Sequence, residues 1–130
     1  MRRRSWKEFQ GVAARRIPDA IRCSITRFSE ISFDVETYNK LGEPEAVFLL
    51  YEQSTRTIGL TPAHADTPNA VLVQIFDPRR PSGTRVVRSR PFFRENGIKF
   101  DRTVRIPFPF IEDKTLILEL RTAVTAKRGG

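Results

Sequence analysis

Apolar and polar positions alternate in short runs along the chain, and two of those runs lead into segments about two helical turns long. Ile21, Cys23 and Ile25 alternate with Arg22, Ser24 and Thr26, the period-two pattern of a half-buried strand over Ile21–Phe28. Ile31–Phe33 and Val86–Arg88 are further short β-type segments. Each is followed by a polar residue, Asp34 or Ser89, whose side chain can accept from the free N–H groups that open a helix. The helical stretches VETYNKL and RPFFREN come next and end at Gly42 and Gly97, suited to a left-handed helix end. Pro91 falls in a first turn, where its missing N–H costs little.

Aligning Gly42 with Gly97 places Ile31 on Val86, Asp34 on Ser89 and Tyr38 on Phe93. After the glycine each copy has two strand-like runs. In the first copy they are Ala46–Tyr51 and Arg56–Leu60, joined by a polar loop. In the second they are Thr103–Phe110 and Thr115–Leu120, joined around Glu112, Asp113 and Lys114. Pro107 and Pro109 make the longer of these an edge or bent strand. Ala70–Phe76 reads as one additional strand, and Asp77–Gly83 as a turn-rich basic linker. The expected fold is therefore mainly β with short helices, two β-α-β-β repeats at about 30–62 and 85–120 within one domain spanning 21–121. A basic arm over 1–20, with a short helix at Trp6–Ala14, precedes it, and a flexible tail over 122–130 follows.

Composition fits that picture. Hydrophobic residues make up 39% and charged residues 29% of the 130 residues, which is globular rather than disordered. A single cysteine forms no internal bridge, so nothing points to an oxidising compartment. No run approaches the roughly 18 apolar residues of a membrane span, and the basic N-terminus lacks the apolar stretch of a secretory signal. A cytoplasmic protein is expected.

Charge changes the picture more. Residues 1–28 carry eight Lys/Arg against two carboxylates, residues 29–75 two against seven, and residues 76–130 thirteen against six. Such a lopsided field favours a polyanion on one side of the molecule; solubility, or docking of a basic half on the acidic half of another copy, are the competing readings.

Catalytic inventory is sparse. His64 is the only histidine and sits in a polar loop, while Cys23 lies on an alternating segment as a small buried hydrophobe. One His and one Cys make neither a zinc set nor a paired nucleophile and base. Glu43, Glu45, Glu112 and Asp113 are turn carboxylates, and no Gly-rich phosphate loop occurs. The expectation is a protein without enzymatic activity, cofactor or metal. What remains is arginine. Arg79, Arg80, Arg85, Arg88, Arg90 and Arg94 fall within sixteen residues, and Lys99, Arg102 and Arg105 extend the run. The guanidinium fork offers two parallel donors to a phosphate or a guanine edge. Arg88 and Arg90 share one face if the stretch is extended, and Arg2, Arg3 and Arg4 form either a backbone-tracking arm or a basic terminus without a partner. Phe92 and Phe93 lie in the second helix, where core packing is favoured over base stacking.

The run GTRVVRSRPFFRENGI (Gly83–Ile98) resembles the swapped-hairpin unit of AbrB-like transcription regulators, and the two-copy arrangement resembles the MraZ regulators. Arg85 stands at the family's leading arginine, Val86 and Val87 on its strand, Arg94 at a helix arginine and Gly97-Ile98 at the helix stop. Leu41-Gly42 matches the stop in the first copy, which is also similar to a widespread set of uncharacterised bacterial proteins. Asp34 and Ser89 replace the family's proline, and the first copy lacks its Gly-Arg. The resemblance implies one swapped-hairpin-like barrel, a dimer or other homo-oligomer, and regulation of transcription on double-stranded DNA. An assembly module pairing acidic and basic halves is the alternative, and RNA binding by the same surface is a third reading.

Overall fold

The structure, a computed structural model, describes residues 22–125. The arm over 1–20, its helix at Trp6–Ala14 and Arg2, Arg3 and Arg4 lie outside the described residues, as does Ile21. The chain is mainly β with two short helices, as the patterning predicts. In order come β1 (Cys23–Ile25), β2 (Glu30–Phe33), α1 (Val35–Lys40), β3 (Ala46–Glu52), β4 (Thr57–Ala63), β5 (Val71–Leu72) and β6 (Gln74–Ile75). They are followed by β7 (Arg85–Arg88), α2 (Arg90–Glu95), β8 (Val104–Ile106), β9 (Phe110–Glu112), β10 (Thr115–Glu119), a 3-10 turn (Leu120–Thr122) and β11 (Val124–Thr125).

These strands form two antiparallel sheets, one in the order β11-β8-β1-β2-β7-β6 and the other β5-β3-β4-β10-β9. No pairing among the described residues joins the two sheets, and the closure expected of one barrel is not seen among them. The core lies between them. Cys23, Ile25, Ile31, Phe33, Val87, Val104 and Ile106 from the first sheet meet Val47, Ile58, Leu60, Leu116 and Leu118 from the second in one buried cluster.

Both repeats contribute equivalent, neighbouring strands to each sheet. β2 pairs with β7 and β4 with β10, in each case antiparallel, which is how a two-fold axis relates equivalent strands. Ile31 lies opposite Val87 and Ser32 opposite Val86. Val87 therefore shares the core face with Ile31, and Val86, its partner in the glycine-anchored alignment, points to the other face. One residue of offset in a strand reverses every side chain, so the copies are equivalent in the strand only after a one-residue shift.

Both helix caps form as read. Asp34 accepts from the Thr37 N–H at 3.0 Å, and Ser89 from the Phe92 N–H at 3.3 Å. Gly42 and Gly97 take φ of 97° and 65°. The bonds Glu43 N to Tyr38 O and Gly42 N to Asn39 O close the first helix, and Ile98 N to Phe93 O and Gly97 N to Arg94 O close the second. Both are the nested pattern of a left-handed helix stop.

Four expected elements differ. The first strand ends at Ile25, and Thr26–Ser29 forms a turn instead of continuing to Phe28. Ala70–Phe76 is not one strand: Val71–Leu72 pairs with β3 in one sheet and Gln74–Ile75 with β7 in the other. Thr103–Phe110 is likewise divided, with β8 beside β1, then Pro107–Pro109, then β9 at the edge beside β10. Proline donates no ladder hydrogen bond and has a fixed φ, so the chain leaves one sheet there and enters the other. Val124–Thr125, expected within the flexible tail, pairs with β8.

Candidate nucleic-acid interface

The turn after β1 is tied at several points. Thr26 N–H donates to Glu30 O at 2.9 Å, Phe28 N–H to Thr26 Oγ1 at 3.1 Å, and Ser29 N–H to Thr26 O at 3.3 Å. Ser29 takes φ 63°, and its carbonyl accepts the Ser89 N–H at 3.2 Å. That bond holds the turn against the residue that caps α2, which brings Arg27 beside the second helix. Arg90 and Arg94 are four residues apart on α2 and so share a face, while Phe93 between them turns into the core. The helix stop then draws Ile98 inward and leaves Lys99 exposed.

The result is an open groove of about 470 Å³ lined by Arg27, Arg90, Arg94 and Lys99, with Ser29, Phe93, Gly97 and Ile98 completing its wall. No carboxylate lines it, and none of the four cations has a carboxylate partner among the described residues. Like charges at i and i+4 destabilise a helix by about 0.2–0.5 kcal/mol. Arg90 and Arg94 carry that cost, and a bound anion relieves it.

The remaining expected residues lie elsewhere. Arg79 is held by Asp77 of its own turn at 3.2 Å, and Arg80 is exposed in the same turn. Arg85, half-buried, places its guanidinium 4.7 Å from the Tyr38 ring centre and donates to Gly83 O at 2.7 Å. Arg88 pairs with Glu30 at 2.9 Å and donates to Gln74 at 3.0 Å. The shared face expected of Arg88 and Arg90 is absent, because Ser89 ends the strand and starts the helix between them. Arg102 is exposed in the bend before β8, and Arg105 projects from β8 opposite Ser24 and Val124. Of the residues expected from the sequence, Arg90, Arg94 and Lys99 line this groove, and Arg27, not among those expected, joins them. The signal for Arg27 was present: Thr26–Ser29 interrupts the alternation between Ile25 and Ile31, as a hairpin tip does.

Phe93 is in the core, and Phe92 packs edge-on against Tyr51 and Phe93 at 6.4 and 5.9 Å between ring centres. His64 is exposed and Cys23 buried. Among the described residues no helix is long and apolar enough to cross a membrane. Comparison with protein-family models, with curated proteins and with solved structures finds no match to this chain.

Proposed function

We propose that this chain is a non-enzymatic, cytoplasmic protein that binds double-stranded DNA, a transcription regulator, and that it grips the sugar–phosphate backbone in the groove between the β1–β2 turn and α2. The observation that carries the reading is the convergence of Arg27, Arg90, Arg94 and Lys99 on one open groove free of carboxylates. Guanidinium groups bind phosphate oxygens through two parallel hydrogen bonds, and lysine adds a compact charge. The resemblance of Gly83–Ile98 to the unit of AbrB-like regulators supports the same reading.

Four neutralised phosphates give a slope of log K against log salt near about −3.6. Affinity for a labelled duplex, followed by fluorescence anisotropy, is expected to fall roughly 100-fold between 50 and 200 mM salt. Replacing Arg27, Arg90, Arg94 or Lys99 by alanine lowers affinity and shallows the slope by about 0.9 each. Replacing Arg79, already held by Asp77, changes the slope little. Absence of salt-sensitive duplex binding at low ionic strength refutes the reading, and tighter retention of structured RNA in the same assay reassigns the groove to RNA.

A second reading, an assembly module, has one observation in its favour. The outer face of the second sheet carries the row Leu50, Gly59, Ile117 and Phe110 across four paired strands, with Leu50 and Phe110 exposed. Pairing of acidic and basic halves between copies has less support, since the acidic Glu30 and basic Arg88 meet within one chain. A molar mass by light scattering that stays monomeric at both low and high salt excludes this module.

A further inference from the structure

We propose that Phe28 inserts against a base step of the bound duplex, so that the groove engages a nucleobase as well as phosphates; this rests on the DNA-binding reading. Phe28 is 55% exposed, although a phenylalanine gains most from burial. A lone exposed apolar side chain is ordinary, but three features set this one apart. Its two neighbours in sequence, Arg27 and Ser29, both line the cationic groove. Its backbone is fixed by the Thr26–Glu30 bonds and by the Phe28 N–H bond to Thr26 Oγ1, so the ring is presented by a braced turn. The Arg27 guanidinium lies 4.9 Å from the centre of the Phe28 ring, which couples the aromatic surface to a phosphate-seeking cation.

Phosphates held by Arg27, Arg90, Arg94 and Lys99 bring the stacked bases next to this turn. An aromatic or aliphatic wedge entering between bases from the minor groove unstacks the step and bends the duplex, and the cost is offset by added contact. Pyrimidine–purine steps open most readily. Phe28 then supplies a contact independent of salt, alongside four that are salt-dependent.

The test compares wild type, Phe28→Ala and Phe28→Trp on a duplex with 2-aminopurine at a central TA step and dyes at its ends. Phe28 lies outside the buried core, so its replacement leaves the fold intact, which near-ultraviolet circular dichroism checks. Wild type is expected to raise 2-aminopurine fluorescence and to shorten the end-to-end distance. Phe28→Ala is expected to lose both signals and roughly ten- to hundred-fold in affinity, with the salt slope unchanged, and Phe28→Trp to restore them. If Phe28→Ala binds as wild type does and 2-aminopurine stays dark, while Arg90→Ala and Arg94→Ala still weaken binding, the wedge is overturned and the phosphate groove stands. If wild type does not bind the duplex at all, both readings fall. Phe28-dependent binding that is tighter to a single strand than to the duplex also overturns the wedge.

Discussion

Thr37 is fully buried, and its hydroxyl joins two elements that are distant in sequence. It donates to Asp34 Oδ1 at 2.7 Å and accepts the Arg22 N–H at 3.0 Å, so α1 is pinned to the start of β1. Thr37→Val preserves shape but leaves the Arg22 N–H without its partner, and the expected loss is about 1–3 kcal/mol by urea unfolding. A change under 0.5 kcal/mol would mean that water or a shifted backbone replaces the bond. Cys23, on the neighbouring strand, offers a pH test. Burial pushes its thiol far above the ordinary range; the charge of Asp34 adds to this, and a hydrogen bond from the Ser24 backbone opposes it. In the unfolded chain the thiol ionises near pH 8.5, whereas the folded chain keeps its proton. Above that pH the unfolded state holds fewer protons, so stability present below about pH 8.5 is lost as pH rises, by up to about 1.4 kcal/mol per pH unit. Urea midpoints of wild type and Cys23→Ala are therefore expected to diverge less at pH 10 than at pH 7, the wild type falling faster. Parallel curves for the two would show that Cys23 does not couple folding to pH.

The turns and sheet crossings between elements are where sequence and fold part company most instructively. β9 and β10 are joined by Asp113 and Lys114 at φ 51° and 66°, the paired left-handed geometry of a tight hairpin, which asparagine and glycine suit best. Lysine pays a steric cost there that glycine avoids. Replacing Asp113-Lys114 by Asn-Gly is expected to stabilise the chain by about 0.5–1 kcal/mol, read as a higher thermal midpoint; no gain would place the turn in another geometry. The caps at Asp34 and Ser89 and the stops at Gly42 and Gly97 were legible because each depends only on residues within one turn. The division of Ala70–Phe76 and Thr103–Phe110 between sheets was not, since a strand's pattern shows that it is half-buried and not which sheet buries it. Pro107 and Pro109 marked one crossing as a bend without giving its destination. The groove was half legible for the same reason. Arg90, Arg94 and Lys99 are neighbours along the chain, but Arg27 reaches them only through the bond from Ser89 to Ser29, a contact across sixty residues that no local pattern encodes.

At the scale of the molecule, the two repeats are not two domains. Each sheet contains an adjacent pair drawn from both copies, β2 with β7 and β4 with β10, and β1 lies between β2 of the first copy and β8 of the second. The first copy together with β1 would leave one side of β2 and of β4 unpaired, and Ile31, Phe33, Ile58 and Leu60, all fully or nearly fully buried, would lose Val87, Leu116 and Leu118 from their surroundings. A sheet reduced to a hairpin is marginal in water, and so short a core cannot offset the entropy of ordering the chain. The full chain is therefore expected to unfold in a single transition, with far- and near-ultraviolet circular dichroism coincident in urea. A fragment ending at Asp77, which retains the first copy and β1, is expected to show no cooperative transition and to stay poorly dispersed in a proton–nitrogen correlation spectrum. Mixing it with a fragment beginning at Pro78 is expected to recover dispersion, because the missing strand partners return. The groove depends on the same interlocking: Arg27 belongs to the first fragment and Arg90, Arg94 and Lys99 to the second. Duplex binding with its full salt slope should then reappear only in the mixture. A first fragment that folds alone would show that the shared sheets are not what holds this molecule together.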